Sequence, residues 1–358
     1  MPPLGRRALL ASAPARLALG PAAARAGAAR GIGIPPGGAS PTIDMHSHAG
    51  GLIGMRRVDE GAPFTPLAAP MRAGGMAVAV LAIVPDAPCY AVTADPGGAA
   101  FVPPVPGDLA AYAPRAFARL HALVRAQGMA LIADALALRA ATADRPAAIA
   151  ASEGGDFLEG ALDRLDDAYA RWTLRHLQLT HYRVNELGDV QTSAPVHGGL
   201  SAFGAEVIRR CNALGIVVDV AHGTYDLVRQ AASVSRAPLV LSHSSITAHP
   251  GPRQRRITPA HARLVAATGG VIGIWPPRAV FPTMAALAEG IERAVDVVGI
   301  AHVGIGTDMG GLIAGSCYPD YEATPDLIAA LRRRGFAAGE IAAVMGGNYA
   351  RVFAAAVG

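Results

Sequence analysis

The sequence predicts an α/β protein, a (β/α)8 or TIM barrel, on three observations. At 358 residues the chain exceeds one average domain but is ordinary for one barrel with its loops. From residue 41 onward, apolar runs of strand length alternate with longer helix-compatible stretches, as in parallel βα units. Those runs are continuous rather than alternating, which indicates strands covered on both faces.

Eight candidate strands follow in order at residues 42–45, 76–84, 147–151, 175–180, 216–221, 238–242, 270–275 and 302–307. Helical stretches lie between them, among them 109–126, 158–172, 204–213, 225–233, 259–267 and 285–298. Eight strands fit a closed barrel, with a doubly wound open sheet as the rival that strand number alone does not exclude.

Residues 1–38 are different material, rich in Ala, Gly, Pro and Arg, with no acidic residue before Asp44. Arg6-Arg7 ahead of Ala8-Leu9-Leu10 reads as a twin-arginine export signal, with Ala24-Arg25-Ala26 as a cleavage site. Pro14 and Arg16 break the apolar stretch, which is too short to span a bilayer. The expectation is an export signal and disordered linker over 1–38, one domain over 39–358, and a periplasmic or extracellular location. The alternative is a cytoplasmic chain with a tail of no targeting function.

Composition excludes several classes. The net charge is +4, and the Arg clusters at Arg253, Arg255, Arg256 and at Arg332 to Arg334 carry no interleaved aromatics, so nucleic acid is not an expected partner. Cys89, Cys211 and Cys317 are too scattered for a zinc ribbon or redox motif. No Gly-x-Ser-x-Gly elbow is present, which disfavours a serine hydrolase. Gly304-Ile305-Gly306 lacks the rest of a dinucleotide fingerprint.

The chemistry is at the strand endings. His46 and His48 follow the first strand, Glu153 the third, His181 the fourth, His222 the fifth, His243 the sixth and Asp308 the eighth. In an α/β barrel all of these points share one rim, the C-terminal face where active sites are built. Imidazole nitrogen and carboxylate oxygen are the usual ligands of zinc and similar ions. Residues i and i+2 of a strand share a face, so His46 and His48 can meet one ion. His222 and His243 can hold a second, and the two oxygens of Glu153 can bridge both.

Ordered segments around these residues carry a family resemblance from about Asp44 to Phe353. They are Ser152-Glu153-Gly154-Gly155, Leu179-Thr180-His181, Gly198-Gly199-Leu200-Ser201-Ala202-Phe203-Gly204 and Val218-Asp219-Val220-Ala221-His222. Ser242-His243-Ser244-Ser245, Arg255-Arg256, Gly304-Ile305-Gly306-Thr307-Asp308 and Gly346-Gly347-Asn348-Tyr349-Ala350-Arg351-Val352-Phe353 complete the set. The sequence resembles the membrane (renal-type) dipeptidases, peptidase family M19 of the amidohydrolase-like barrels.

The resemblance implies a metallo-dipeptidase with two zinc ions per chain, a small peptide substrate and a homodimer. His46 and His48 would bind one zinc, His222 and His243 the other, with Glu153 between them. His181 would polarise the scissile carbonyl and steady the oxyanion. Asp308 would take a proton from the attacking hydroxide and pass it to the leaving amine. Arg256, or its neighbour Arg255, would pair with the substrate carboxylate, and Asn185 and Asp189 would contact the substrate amine. One departure stands out: the family pattern His-x-Asp is His46-x-His48 here, one negative charge fewer around the metals. Either the site is more positive and tilted towards zinc, or His48 stays out and one metal position is weak.

His121, His176, His197, His249, His261 and His302 read as surface or packing residues. Asp44 reads as a group that orients a ligand by a hydrogen bond, and Asp219 is open to a structural or a functional role. Two other functions keep the barrel: the same site acting on another small amide or ester (an N-acyl amino acid, a β-lactam, a lactone), or a non-catalytic barrel that has lost a metal.

Overall fold

The computed structural model describes residues 40–53, 62–92, 99–249, 251, 254–312 and 315–358, and Ala39–Gly358 form one compact unit. The export signal and linker expected over residues 1–38 lie outside the described residues.

Eight parallel strands run in sequence order around one sheet: Ile43–Ser47, Val78–Ile83, Ala147–Glu153, Leu174–Gln178, Val217–Asp219, Val240–Ser244, Val271–Ile274 and Val303–Ile305. The eighth returns to the first. Ser47 bridges Met309 in parallel, the Asp308 amide donates to the His46 carbonyl at 2.9 Å, and the His48 amide donates to Met309 at 2.7 Å. An open doubly wound sheet would reverse its strand order and leave two free edges. The fold is a nearly closed (β/α)8 barrel.

Strand ends differ from the sequence reading by a few residues, so His46, Glu153 and His243 sit in the last residues of their strands rather than past them. The helix expected over 158–172 begins only at Asp163, because Glu159 (φ 42°) and Gly160 (φ 78°) take left-handed conformations that end the preceding 3-10 turn. A two-residue strand, Ala130–Leu131, pairs beside the start of the third barrel strand. A small antiparallel hairpin joins Tyr90–Val92 to Ala99–Phe101. Neither has enough residues to leave a periodic signal.

The helices start where local chemistry starts them. Ser201, Thr224, Thr258 and Thr283 each accept, through the side-chain oxygen, the amide three residues on, which satisfies one orphan donor of the first turn. Packing then follows the strand period of two. On the second strand, Ala79, Leu81 and Ile83 join the cluster that holds the helix residues Phe117 and Leu120. Val78, Val80 and Ala82 face the opposite way and pack with Ile149, Val240, Tyr349 and Phe353. Tyr349 and Phe353 belong to the last helix, Asn348–Val357, which enters beside Pro41 and Ile43 at the start of the first strand. That end of the barrel is filled, and the other end is where the polar strand endings gather.

Candidate metal centre

Five imidazoles surround one carboxylate. Glu153 Oε1 lies 3.1 Å from His222 Nε2, 3.3 Å from His243 Nε2 and 3.5 Å from His46 Nε2. Its Oε2 lies 3.1 Å from His48 Nε2 and 3.4 Å from His181 Nε2. All of these residues are buried. A register shift between Asp44 and Ser47 in the first strand accompanies the approach of His46 and His48, whose Nε2 atoms are 3.2 Å apart.

Those nitrogens are arranged as ligands. His48 Nδ1 donates to the Ala82 carbonyl at 2.8 Å and His243 Nδ1 contacts Ser242 Oγ at 2.9 Å, so each ring turns its Nε2 to the centre. Burial, with Arg255 beside His222 and His46 beside His243, pushes both of those imidazoles well below their ordinary pKa and keeps them neutral. His222 Nε2 and His243 Nε2 lie 3.1 Å apart, a spacing met either by one N–H···N hydrogen bond or by two lone pairs that share a cation. Two nitrogens at ~2.0–2.1 Å from one tetrahedral zinc would lie about 3.3 Å apart. The donor set therefore fits a divalent ion. Two overlapping groups, His46, His48 and Glu153, and Glu153, His181 and His222, have ligand atoms within 4.8 Å of one another.

His181 differs from the other four. Although burial works against its charge, Asp86 and Glu153 raise its pKa to about 9, and Asp86 Oδ1 lies 2.7 Å from its Nδ1. A charged imidazole is a hydrogen-bond donor rather than a metal ligand. Burial would raise Glu153, but the imidazoles around it, His181 and His46 foremost, hold its carboxyl well below the usual range. Burial and Glu153 move Asp308 the other way, upward. Two carboxylates with opposite shifts at one site divide the work of ligand and proton carrier. Asp308 Oδ1 is 3.6 Å from His48 Nε2 and 4.0 Å from His46 Nε2. Asp308 (φ 51°) and His222 (φ 66°) both hold left-handed backbone, a strain of about 1–3 kcal/mol each that is common at working sites.

The expected substrate contacts divide. Arg255, not Arg256, turns to the centre: its Nη1 donates to Gln191 Oε1 at 3.0 Å, its guanidinium lies 5.3 Å from the Trp275 ring, and its Nε has no partner. Arg256 spends Nε and Nη2 on Gln254 Oε1 at 3.0 and 2.6 Å. Asn185 is used up inside its loop, donating to Asp156 Oδ2 and the Leu179 carbonyl and accepting from the Leu187 amide. Asp189 likewise accepts from the Val196, His197 and Gly199 amides. Both brace the loop after His181 through these bonds. A cavity of about 270 Å³, lined in part by His48, Gly51, Thr65, Met309 and Tyr321, opens beside the ligand group.

Other residues have local explanations. Asp44 accepts from the Thr307 amide at 2.8 Å and from Tyr321 at 2.8 Å, and it also meets the His46 amide at 3.3 Å, so it fixes the first strand against the segment after the eighth. Asp219 is structural, bonded to His176, Ala221 and Ser242. The three cysteines are free, Cys89 and Cys211 buried. Asp86, Asp156, Tyr182 and Trp275 also pack around the site and its loop, and none of them belongs to the expected set. Asp86 carried a signal, since it stands just past the second strand on the same rim.

A model of the membrane dipeptidase family, peptidase family M19, matches residues 99–357. The chain belongs to that family. Among curated relatives, dipeptidase verJ of Clonostachys rogersoniana is 34% identical over 191 residues, 51% of this chain and 48% of its own. Dipeptidase aclJ of Aspergillus oryzae is 32% identical over 193 residues, 51% of this chain and 46% of its own. The chain thus aligns with about half the length of the curated relatives it matches. Among solved structures, a metallo peptidase from Rhodobacter sphaeroides, liganded with a phosphinate mimic of the dipeptide L-Ala-D-Ala, superposes with a TM-score of 0.73 at 21% identity, over 88% of this chain and 99% of that one. The probable dipeptidase PvdM from Pseudomonas aeruginosa gives 0.71 at 20% identity, over 88% and 95%. At these identities the likeness is one of fold. Among the described residues no helix is long and apolar enough to cross a membrane.

Proposed function

We propose that this chain is a metal-dependent dipeptidase that hydrolyses the amide bond of a small peptide with a free carboxylate, using two zinc ions. The observation that carries the reading is the convergence of four Nε2 atoms, from His46, His48, His222 and His243, on the two oxygens of Glu153. His46 and His48 would hold one ion and His222 and His243 the other, with the Glu153 carboxylate as the shared anionic ligand. Bound ions of this kind supply Lewis acidity and a water that ionises near neutral pH.

The chain's own groups do the rest. His181 donates from Nε2 to the carbonyl oxygen as negative charge develops there. Asp308, its pKa raised, accepts a proton from the attacking water at a side-chain oxygen and returns it to the leaving amine. Arg255 receives the substrate carboxylate through its planar fork. His48 stands within the ligand group, so the loss of one carboxylate relative to the family pattern leaves a more positive centre, suited to an anionic substrate.

The test is hydrolysis of a dipeptide panel, L-D pairs included, by zinc-loaded protein and its Asp308→Asn variant. Turnover by the parent and a loss of about 10²–10⁴-fold in the variant are expected. Failure to cut any dipeptide with metal bound would remove the reading.

A further inference from the structure

We propose that Asp86 is a positioning residue for His181, the group that sets which way the imidazole faces. Asp86 stands just beyond the second barrel strand and is fully buried. Its Oδ1 accepts from His181 Nδ1 at 2.7 Å, and its Oδ2 accepts from the Tyr182 amide at 3.3 Å and from the Tyr90 hydroxyl at 3.4 Å. One carboxylate thus holds both the ring and the backbone that carries it.

That grip matters because His181 lies three residues past Gln178, the last residue of its strand, where the sheet no longer fixes direction. The residues that follow are tied to a different acid: Arg183 and Asn185 both bond Asp156, after the third strand. The loop is therefore shared between two carboxylates, and only Asp86 reaches the imidazole. With Nδ1 anchored there, Nε2 lies 3.4 Å from Glu153 Oε2, at the edge of the ligand group. Without the anchor, a buried Nδ1–H loses its acceptor and the ring turns to seek another. A displacement of about 1 Å at a reacting group can cost 10²-fold in rate.

The catalytic consequence rests on the dipeptidase reading; the positioning rests on geometry alone, and the experiment separates them. Zinc-loaded parent is compared with Asp86→Ala, Asp86→Leu, Asp86→Asn, His181→Gln and the double variant Asp86→Ala, His181→Gln. The first readout is the hydrogen-bonded imidazole proton of His181 Nδ1, assigned in the proton spectrum by its loss in His181→Gln. It should vanish in Asp86→Ala and Asp86→Leu and persist in Asp86→Asn, whose amide oxygen still accepts. The second readout is steady-state kinetics on the best dipeptide of the panel, with metal content measured in each variant. Asp86→Ala should lower kcat about 10–100-fold, with KM changed by less than about threefold and Asp86→Asn closer to the parent. In the His181→Gln background the same change should cost less than about twofold, since the group it positions is gone. An unchanged proton resonance in the Ala and Leu variants, or a full multiplicative loss in the double variant, overturns the proposal. A parent that holds zinc but cuts no dipeptide overturns the functional reading instead, and the resonance then decides the role of Asp86.

Discussion

His222 Nε2 and His243 Nε2 face each other at 3.1 Å, two buried imidazoles that burial keeps uncharged. His243 sits in the last residues of the sixth strand, and His222 follows the neighbouring fifth strand by three residues.

Chelation should therefore destabilise the fold as well as end activity. Stripping metal removes a ligand that binds the folded state alone, and a ligand at 1,000 times its Kd contributes about 4 kcal/mol to that state. We expect the Tm to fall by several degrees after chelation and to recover with zinc, read by calorimetry. An unchanged Tm and no metal by elemental analysis would show that the cluster holds no ion.

The two arginines should separate in kinetics. Arg255→Ala removes the guanidinium beside Trp275 and should raise KM for dipeptides at least 10-fold. Arg256→Ala releases only Gln254 and should leave KM within about twofold. Equal effects from both would remove Arg255 from the proposed carboxylate contact.

Gly306→Ala should disturb the centre without touching a ligand. A Cβ there would collide with the carbonyl of Ser242 and press on the His243 Cβ, so the sixth strand must shift. Overpacking of this kind costs about 1–3 kcal/mol. Zinc titration of the folded variant should show weaker binding at one position; parent-like affinity and Tm would refute the clash.

Acid sensitivity should trace in part to His261. Its ring is buried in the helix Pro259–Ala267, its Nε2 has no partner, and burial lowers its pKa to about 4. The folded state thus holds it neutral while the unfolded chain protonates it below about 6.5. Its effect on stability is absent above that pH, grows as pH falls towards 4, and levels off below, at most about 3 kcal/mol. His261→Leu should lose less stability than the parent between pH 6.5 and 4, measured by urea unfolding in saturating zinc. Parallel pH curves would refute it.

The barrel was legible because its information is local. Continuous apolar runs mark strands buried on both faces, and longer helix-compatible stretches lie between them; both survive without tertiary context. The ring of His46, His48, Glu153, His222 and His243 was legible for a topological reason, since successive strand ends share one rim. What stayed hidden depended on side-chain direction. Arg255 and Arg256 are adjacent in sequence, and only the turn after the sixth strand decides which one faces the centre. Asn185 and Asp189 have residue types suited to a substrate, yet the loop consumes their hydrogen bonds. The helix that starts at Asp163 rather than 158 reflects left-handed backbone at Glu159 and Gly160, which a helical pattern conceals.

The seam of the barrel, where Ser47 meets Met309, also orders events in time. His46 and His48 are among the first parts of the barrel to be synthesised, whereas Asp308, across the seam, emerges after 260 further residues have left the ribosome. The helix that fills the opposite end comes later still. The first strand therefore waits for the eighth before the hydrogen bonds across the seam can form, and His46 meets Asp308 only when both are in place.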